Sequence, residues 1–582
     1  MGRATDVMPA HNADIAAALN DIADLLDIEG ANPFRIRAYR NAARTVGELG
    51  QPVPVMLAQG ADLDDLPGIG PDLAAKIREI AETGSCALLG RLRQELPPGI
   101  TELLKVPGLG PKRVRVLHHE LGVQTIEQLH QAAREGRVQA IHGFGPKSQQ
   151  AILDATAAQL QEERRIPLWR ADQTAGALLA ELATLPGVAR AVAAGSLRRR
   201  RETVGDLDLL VSLSGRSPVT DRFVGGEDVS RVLAHGSTRA SVVLKSGLQV
   251  DLRVVPAESF GAAWVYFTGS KAHNIALRRL AQERGLKINE YGVFRGRDRL
   301  PGATEEALYQ AIGLRYIEPE LREDRGEIEA ARQGRLPVLV VLGDLRGDLH
   351  VHTSESDGRD SLEAMAAAAR ARGLQYLAVT EHSRRLGVAH GVDPARLARQ
   401  IDRIDRFNAQ SPDFTVLKGV EVDILEEGTL DLPDTILQRL DLVVGAVHHR
   451  FDLPRAQQTA RLLRAMDSRY FTLLAHPGGR LIGERPACDF DLLRVLRKAR
   501  ERGCFVELNA QPARLDLTDT ACQMAKAEGV LVCINSDAHS TLEFNHLTSG
   551  IDQARRGWLE KADVLNTRTL EDLRPLLART MQ

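Results

Sequence analysis

The spacing of apolar positions changes along this chain and divides it into regions of different texture. Near the start, Ile15, Leu19, Ile22, Leu25 and Leu26 fall three and four apart with polar residues between them, the stripe of an amphipathic helix. This texture predicts helices over residues 1–90 and again over 91–165. From about residue 188 short alternating or apolar runs take over (VARAVAAG, LDLLVSL, SVVLKSGLQVDLRVV), which predicts an α+β layer over 166–256. Residues 257–320 mix helices and short strands. The stretch Pro319 to Arg335 is charged, lacks bulky core residues and reads as the main linker, placed at 321–342. Beyond it, apolar runs (VLVVLG, YLAVTEH, DLVVGAVHH, FTLLAHP, CFVELNA, VLVCINSDAH) alternate with helical stretches over 343–577. Repeated βα units predict a parallel sheet or closed barrel, with functional groups gathered at the carboxyl ends of the strands.

Composition narrows the class. A chain of 582 residues implies about four domains at ~150 residues each. Apolar content of 43% with 26% charged residues is ordinary globular chemistry. The net charge of -2 argues neither for nor against nucleic acid, because charge can segregate by domain. The 5 cysteines form no CxxC pair, which favours reduced thiols in the cytoplasm. The N-terminus has no apolar leader core, and the longest apolar run, Val338 to Leu342, is far short of a membrane span. No membrane partner is expected.

A weak repeat stands out in the helical region: LPGIG from Leu66, VPGLG from Val106 and HGFGP from His142. Each joins two helical stretches. Glycine permits the tight turn, and uncovered backbone N–H groups at a helix N-terminus attract anions. One copy alone is as well read as an ordinary helix–helix turn. Three copies favour binding of a nucleic-acid backbone through Gly68 and Gly70, Gly108 and Gly110, and Gly143 and Gly145, with Lys112 and Lys147 adding phosphate contacts.

Gly195-Ser196-Leu197-Arg198-Arg199 is followed by Gly205-Asp206-Leu207-Asp208. Residues two apart on a strand share one face, so Asp206 and Asp208 can hold a pair of divalent cations, and Asp251 at the end of a later strand is the natural third ligand. GS followed at fixed distance by DxD is the nucleotidyltransferase pattern. Residues 266–274 (YFTGSKAHN) and 287–291 (KINEY) sharpen it. With these, residues 1–320 resemble DNA polymerase beta and its X-family relatives. The resemblance implies a lyase-like domain at 1–90, helix-hairpin-helix fingers at 91–165, a nucleotidyltransferase palm at 166–256 and a thumb at 257–320. It also implies roles. Asp206, Asp208 and Asp251 would hold two Mg2+ or Mn2+ ions. Ser196 and Arg199 would contact the triphosphate, and Tyr266, Phe267, Gly269, Lys271 and Asn274 would surround the nucleotide. Arg278 would face the DNA, and a cis Gly269–Ser270 bond is expected. There are two departures: Gln249 stands where polymerase beta has an arginine, and Lys271 where it has an aspartate.

The segment Phe34 to Ala43 resembles the 5′-phosphate-binding helix of the family's lyase domain, which assigns Arg35 and Tyr39 to DNA. Lys76 falls at the Schiff-base lysine. A lysine must lose its proton to act there, and Asp72, where polymerase beta has a lysine, would hold the proton on. Lys76 is thus either a lyase nucleophile or a DNA-phosphate contact.

In the C-terminal region, polar residues recur at strand ends: His350 and His352 (DLHVHT), Asp357 (SDG), His382 (TEH), Glu421 (GVEVD), His448 (AVHHR), His476 (AHPGGR), Asp537 and His539 (SDAH). Imidazoles and carboxylates together suit zinc, manganese or iron. The set resembles the PHP (polymerase and histidinol phosphatase) superfamily, which implies a distorted (β/α)7 barrel and a site for three divalent ions, Mn2+ or Zn2+. Arg450 and Arg480 are candidate phosphate clamps.

The combined expectation is a multidomain, cytoplasmic, nucleoid-associated, monomeric enzyme of base excision repair. It would take gapped or nicked DNA and dNTPs and carry a 3′-5′ exonuclease or phosphoesterase activity. Two rivals remain: a small-molecule phosphatase with an attached front half, and a DNA-bridging protein with degenerate sites.

Overall fold

The computed structural model describes residues 12–582 except 48, 50–52, 59, 84, 97–99, 101, 164 and 301. Part of the N-terminal segment read for a leader, residues 1–11, lies outside the described residues. The chain divides into two compact units, residues 1–163 and 164–582. Among the described residues no helix is long and apolar enough to cross a membrane.

The first unit is helical. Its opening helix, Asn12–Glu29, buries the predicted stripe: Ile15, Leu19, Ile22 and Leu26 are fully shielded. The three glycine motifs fold alike. A short 3-10 turn (Leu63–Asp65, Glu102–Lys105, Val138–Ala140) leads into a tight turn and then a helix starting at Pro71, Pro111 or Pro146. Gly68, Gly108 and Gly143 take φ of 78°, 84° and 90°, a left-handed conformation that costs glycine little. Each turn closes through one backbone bond of 3.0 Å, donated by Ile69 to Leu66, by Leu109 to Val106 and by Phe144 to Ile141. Those three donors are buried and anchor the turn, while the second glycine of each motif is exposed.

The second unit begins with a five-stranded sheet in the order Val188–Ala193, Asp206–Leu213, Gln249–Pro256, Arg239–Leu244, Val229–His235. The two central strands are parallel and set Asp208 opposite Asp251. The helices Phe260–Thr268 and Lys271–Glu283 follow, then a small three-stranded sheet and the helix Glu305–Ala311.

Two expectations from composition fail here. The supposed linker is packed structure: Arg322 is 0% exposed, and Leu321 and Glu327 are buried. Its charges are paired. Arg322 donates to Ile317 O at 2.9 Å and to Glu305 at 2.8 Å, and Glu327 accepts from the His273 ring at 2.6 Å. A paired charge can be buried, so charge density alone did not mark a solvated segment. The run Val338 to Leu342 is likewise not a strand of the C-terminal sheet. It makes one bridge, Leu339 to Glu560, and Val338 is 82% exposed.

The first C-terminal strand is instead Gly347–Val351. It forms a parallel sheet with Tyr376–Val379 and Thr415–Lys418. A second parallel sheet runs through Glu421–Asp423, Val444–Ala446, Leu473–Leu474, Phe505–Asn509 and Val532–Asn535. Isolated parallel bridges, Val351 to Ala538 and His382 to Glu421, connect the two sheets. The C-terminal region is thus built of short parallel sheets linked by bridges, without one continuous ladder. The strands are buried on both faces, as parallel strands between helices must be.

Candidate active sites

An open cleft of about 820 Å³ lies at the end of the two central strands. It is lined by Asp206, Asp208, Ser196, Arg199, Tyr266, Phe267, Gly269, Lys271, Asn274 and Arg278, so the expected nucleotide residues converge on it. Burial first, and then the charges of Asp206 and Asp251, push the Asp208 carboxyl up to about 7. Burial and Asp251 raise Asp206 as well. Three acids that repel one another in a half-buried corner gain most from a shared cation. Ser241 holds Asp251 on one oxygen and Gln249 Nε2 donates to the other at 2.8 Å, so the Gln249 departure places an amide donor on that carboxylate. Gly195 has φ of 61°, and a Cβ there would meet Asp208 Oδ2 at 2.2 Å; only glycine lets the loop pass. Ser196 Oγ is buried with no hydrogen-bond partner, a donor left for a ligand. The Gly269–Ser270 peptide is cis. Asn274 Nδ2 donates to Tyr266 O at 2.7 Å, and Arg278 lies over the Tyr266 ring.

The arginine run divides. Arg198 is spent on structure, with Glu305 at 2.7 Å and Trp264 beneath it. Arg200 pairs with Asp172 and Asp552, and Arg199 pairs with Glu323 at 3.1 Å while still lining the cleft. Arg201 and Arg165 also line it. Sequence reasoning missed Arg165, which lies in no motif.

The nine C-terminal residues meet in one cluster, with Asp357, His448 and His539 at its partly exposed side and the others buried. Three groups have ligand atoms within 4.8 Å of one another: His352, Asp357, His382 and His539; His350, His352 and Asp537; His382, Glu421 and His448. His352 and His382 each belong to two groups, and His476 joins through Glu421 at 2.9 Å. His350 Nε2, both ring nitrogens of His352 and Glu421 Oε2 are buried without a hydrogen bond. Orphaned donor atoms at the centre of an imidazole–carboxylate cluster fit divalent metal ions.

Further carboxylates aim the rings. Glu507 accepts from His350 Nδ1 at 2.7 Å and Asp423 from His448 Nδ1 at 3.1 Å, which turns each Nε2 inward. Glu507 also accepts from His476 N at 2.8 Å and Asn535 at 2.9 Å. Burial works against the charged imidazoles, but Glu421, Asp357, Asp423 and Asp537 outweigh it, pushing His382 up to about 9, His448 to about 10 and His539 to about 9. His352, buried beside His382 and His539, falls to about 3. The imidazoles hold Glu421 and Asp537 far below the carboxylate range against burial. His476 and Asp537 have φ of 25° and 53°, backbone strain placed on two of the nine residues. Glu381, the acid of TEH, is no ligand: it is fully buried and accepts from Gln400 at 2.9 Å and from Thr353 and Ser356.

The chain is 38% identical to the DNA polymerase/3′-5′ exonuclease PolX of Bacillus subtilis (strain 168), over 98% of this chain and 100% of that protein. The chain belongs to the X-family DNA polymerases that carry a C-terminal PHP domain. DNA polymerase lambda of Rattus norvegicus is 26% identical over 54% of this chain and 56% of its own length. A probable phosphatase of Thermoanaerobacter sp. (strain X514) is 28% identical over 38% of this chain and 89% of its own. Family profiles match the DNA polymerase beta thumb at 263–323, a helix-hairpin-helix domain at 10–86, a SAM-like helix-hairpin-helix tandem at 100–158 and a PHP domain at 348–511. The PHP match stops before Asp537 and His539, which the fold brings to the other seven.

Two expectations for this polymerase change on the structure, those for Tyr39 and for Arg480 with Arg450. Tyr39 is 2% exposed and packs in the helical core, whereas Arg35 is exposed. Lys76 is ion-paired with Asp72; burial opposes its charge, but Asp72 and Tyr39 prevail and raise the amine above its ordinary value. Arg480 is no free phosphate clamp, since it pairs with Glu202 of the palm at 2.7 Å, and Arg450 pairs with Glu426. Arg514, which no motif flags, lies 3.9 Å from Asp537.

Proposed function

We propose that this protein fills short gaps in DNA by nucleotidyl transfer in the palm cleft and trims or dephosphorylates 3′ ends at the PHP centre, as part of base excision repair. The convergence of the aspartates, the orphaned Ser196 hydroxyl and the YFTGS segment on one cleft carries the reading. Asp206, Asp208 and Asp251 would hold two Mg2+ or Mn2+ ions, and His350, His352, Asp357, His382, Glu421, His448, His476, Asp537 and His539 three ions, Mn2+ or Zn2+. When bound, such ions activate an oxygen nucleophile and neutralise charge developing on phosphorus. The chain's own groups do the rest. Ser196 and Arg199 bind the triphosphate, Tyr266 and Phe267 flank the sugar, and Arg278 with the exposed glycine turns and Lys112 grips the DNA backbone. At the PHP centre Glu507 and Asp423 fix which imidazole nitrogen is free.

Cleavage at abasic sites and 3′-phosphate removal are the finer part of the proposal; the likeness to a probable phosphatase supports the second. The lyase role of Lys76 has less support, because its partner Asp72 keeps the amine protonated. The test is Asp208→Ala assayed on gapped DNA. Nucleotide addition should vanish while 3′-end degradation continues. Loss of both activities together would overturn two independent centres.

A further inference from the structure

Arg199 lines the nucleotide cleft, yet it is held from outside the palm. Its Nε lies 3.1 Å from Glu323 Oε1, and its Nη1 donates to the Thr268 carbonyl at 2.5 Å. Among the described residues no hydrogen bond engages Nη2. A guanidinium is a rigid planar fork, so fixing Nε and Nη1 sets the direction of the remaining N–H groups.

The Glu323 carboxylate is itself shared. Arg556 Nη1 lies 2.9 Å from the same Oε1 and donates to the backbone carbonyl of Arg199 at 2.7 Å. Arg556 Nη2 reaches Asp519 at 2.7 Å, and Asp519 also takes Arg325 at 3.0 Å. Arg556 is 3% exposed and ends the helix Leu547–Arg556 of the PHP domain. The next residues of the palm turn are held from the same side: Arg200 by Asp552 at 2.6 Å and Glu202 by Arg480 at 2.7 Å. The triphosphate-facing turn of the polymerase is therefore backed by the PHP domain.

We infer that Glu323 and Arg556 are positioning residues of the polymerase reaction: the PHP domain supplies the cation that fixes the carboxylate that aims Arg199 into the nucleotide cleft. This rests on the cleft being the dNTP site. An arginine already aimed by two hydrogen bonds meets the triphosphate without first being ordered, so loss of the aiming groups should appear in nucleotide binding. It should not appear in DNA binding or at the PHP centre, whose ligands these residues do not touch.

The experiment uses the full-length protein with its metals. Glu323→Gln keeps the side-chain volume, and Arg556→Lys keeps the charge while losing the fork. Arg199→Ala is the reference, and the double variant Arg199→Ala/Glu323→Gln closes a cycle. KM for dNTP on gapped DNA should rise about tenfold in each of the first two variants, since small displacements of a binding group cost one to two orders of magnitude. KM for DNA and the 3′-end nuclease rate should stay at wild-type values. The double variant should be no worse than Arg199→Ala, because Glu323 acts only through Arg199. An unchanged dNTP KM in either folded variant overturns the inference, as does an additive double variant or a parallel fall of polymerase and nuclease. A wild-type dNTP KM in Arg199→Ala would instead remove the reading of the cleft itself.

Discussion

Replacing Glu507 with glutamine tests how the PHP centre is built without touching any proposed ligand. Glu507 is fully buried and spends its two oxygens on His350 Nδ1 at 2.7 Å, Asn535 at 2.9 Å, the His476 backbone at 2.8 Å and Asn509 at 3.2 Å. A glutamine of the same shape has one acceptor oxygen and one NH2. Whichever way it turns, it presents a donor either to the His350 ring N–H or to the donors at His476 and Asn509. The simplest relief is for His350 to change tautomer, which places its proton on the Nε2 that faces the cluster. Losing such an orienting partner costs about 10–100-fold in metal affinity or activity, or roughly 1.4–2.8 kcal/mol. The assay pairs a chelator-competition measurement of bound Mn2+ with the 3′-end nuclease rate, and nucleotide addition on gapped DNA serves as the control. Metal affinity and nuclease should fall together while polymerisation holds. Full metal affinity with unchanged nuclease in Glu507→Gln would refute the claim that this carboxylate sets the His350 tautomer.

The protonation of the cluster gives a second prediction. In the metal-free protein His382, His448 and His539 are raised to about 9, 10 and 9, so near neutral pH they carry protons that a metal must displace. Adding Mn2+ to apo protein in dilute buffer should release protons, and apparent affinity should climb with pH until these groups are neutral. A pH-independent affinity between 6 and 9 would contradict this. At the lyase-like site, borohydride trapping on 5′-deoxyribose-phosphate DNA should be weak in the wild type, absent in Lys76→Ala and stronger in Asp72→Asn, which removes the acid that raises the amine. No gain in Asp72→Asn would assign Lys76 to phosphate binding. For stability, Glu305→Ala strands Arg198 and Arg322, whose bonds to it are 2.7 and 2.8 Å, and should cost about 3–5 kcal/mol, seen as a lower urea midpoint.

What the sequence determined by itself is the chemistry of each centre. Asp206 with Asp208 is a two-residue spacing within one strand, and period two alone puts both carboxylates on one face; His350 with His352 and Asp537 with His539 are the same spacing at strand ends, where the backbone of the fold completes the placement. Glycine turns were legible for a similar reason: Gly68, Gly108 and Gly143 announce a positive φ that few other residues adopt. What the sequence left undecided is every property that depends on partners distant along the chain. The run Arg198 to Arg201 looks uniform, yet each arginine has a different fate, set by Glu305, Glu323, Asp552 or the open cleft. The stretch after Pro319 looks solvated and is buried, because Arg322 and Glu327 find Glu305 and His273. Arg480 looks like a phosphate clamp and is an interdomain ion pair. The physical reason is that local geometry is fixed by backbone periodicity, which travels with the sequence. The free energy of a charge is fixed by the charges and solvent around it, and only the tertiary structure supplies those.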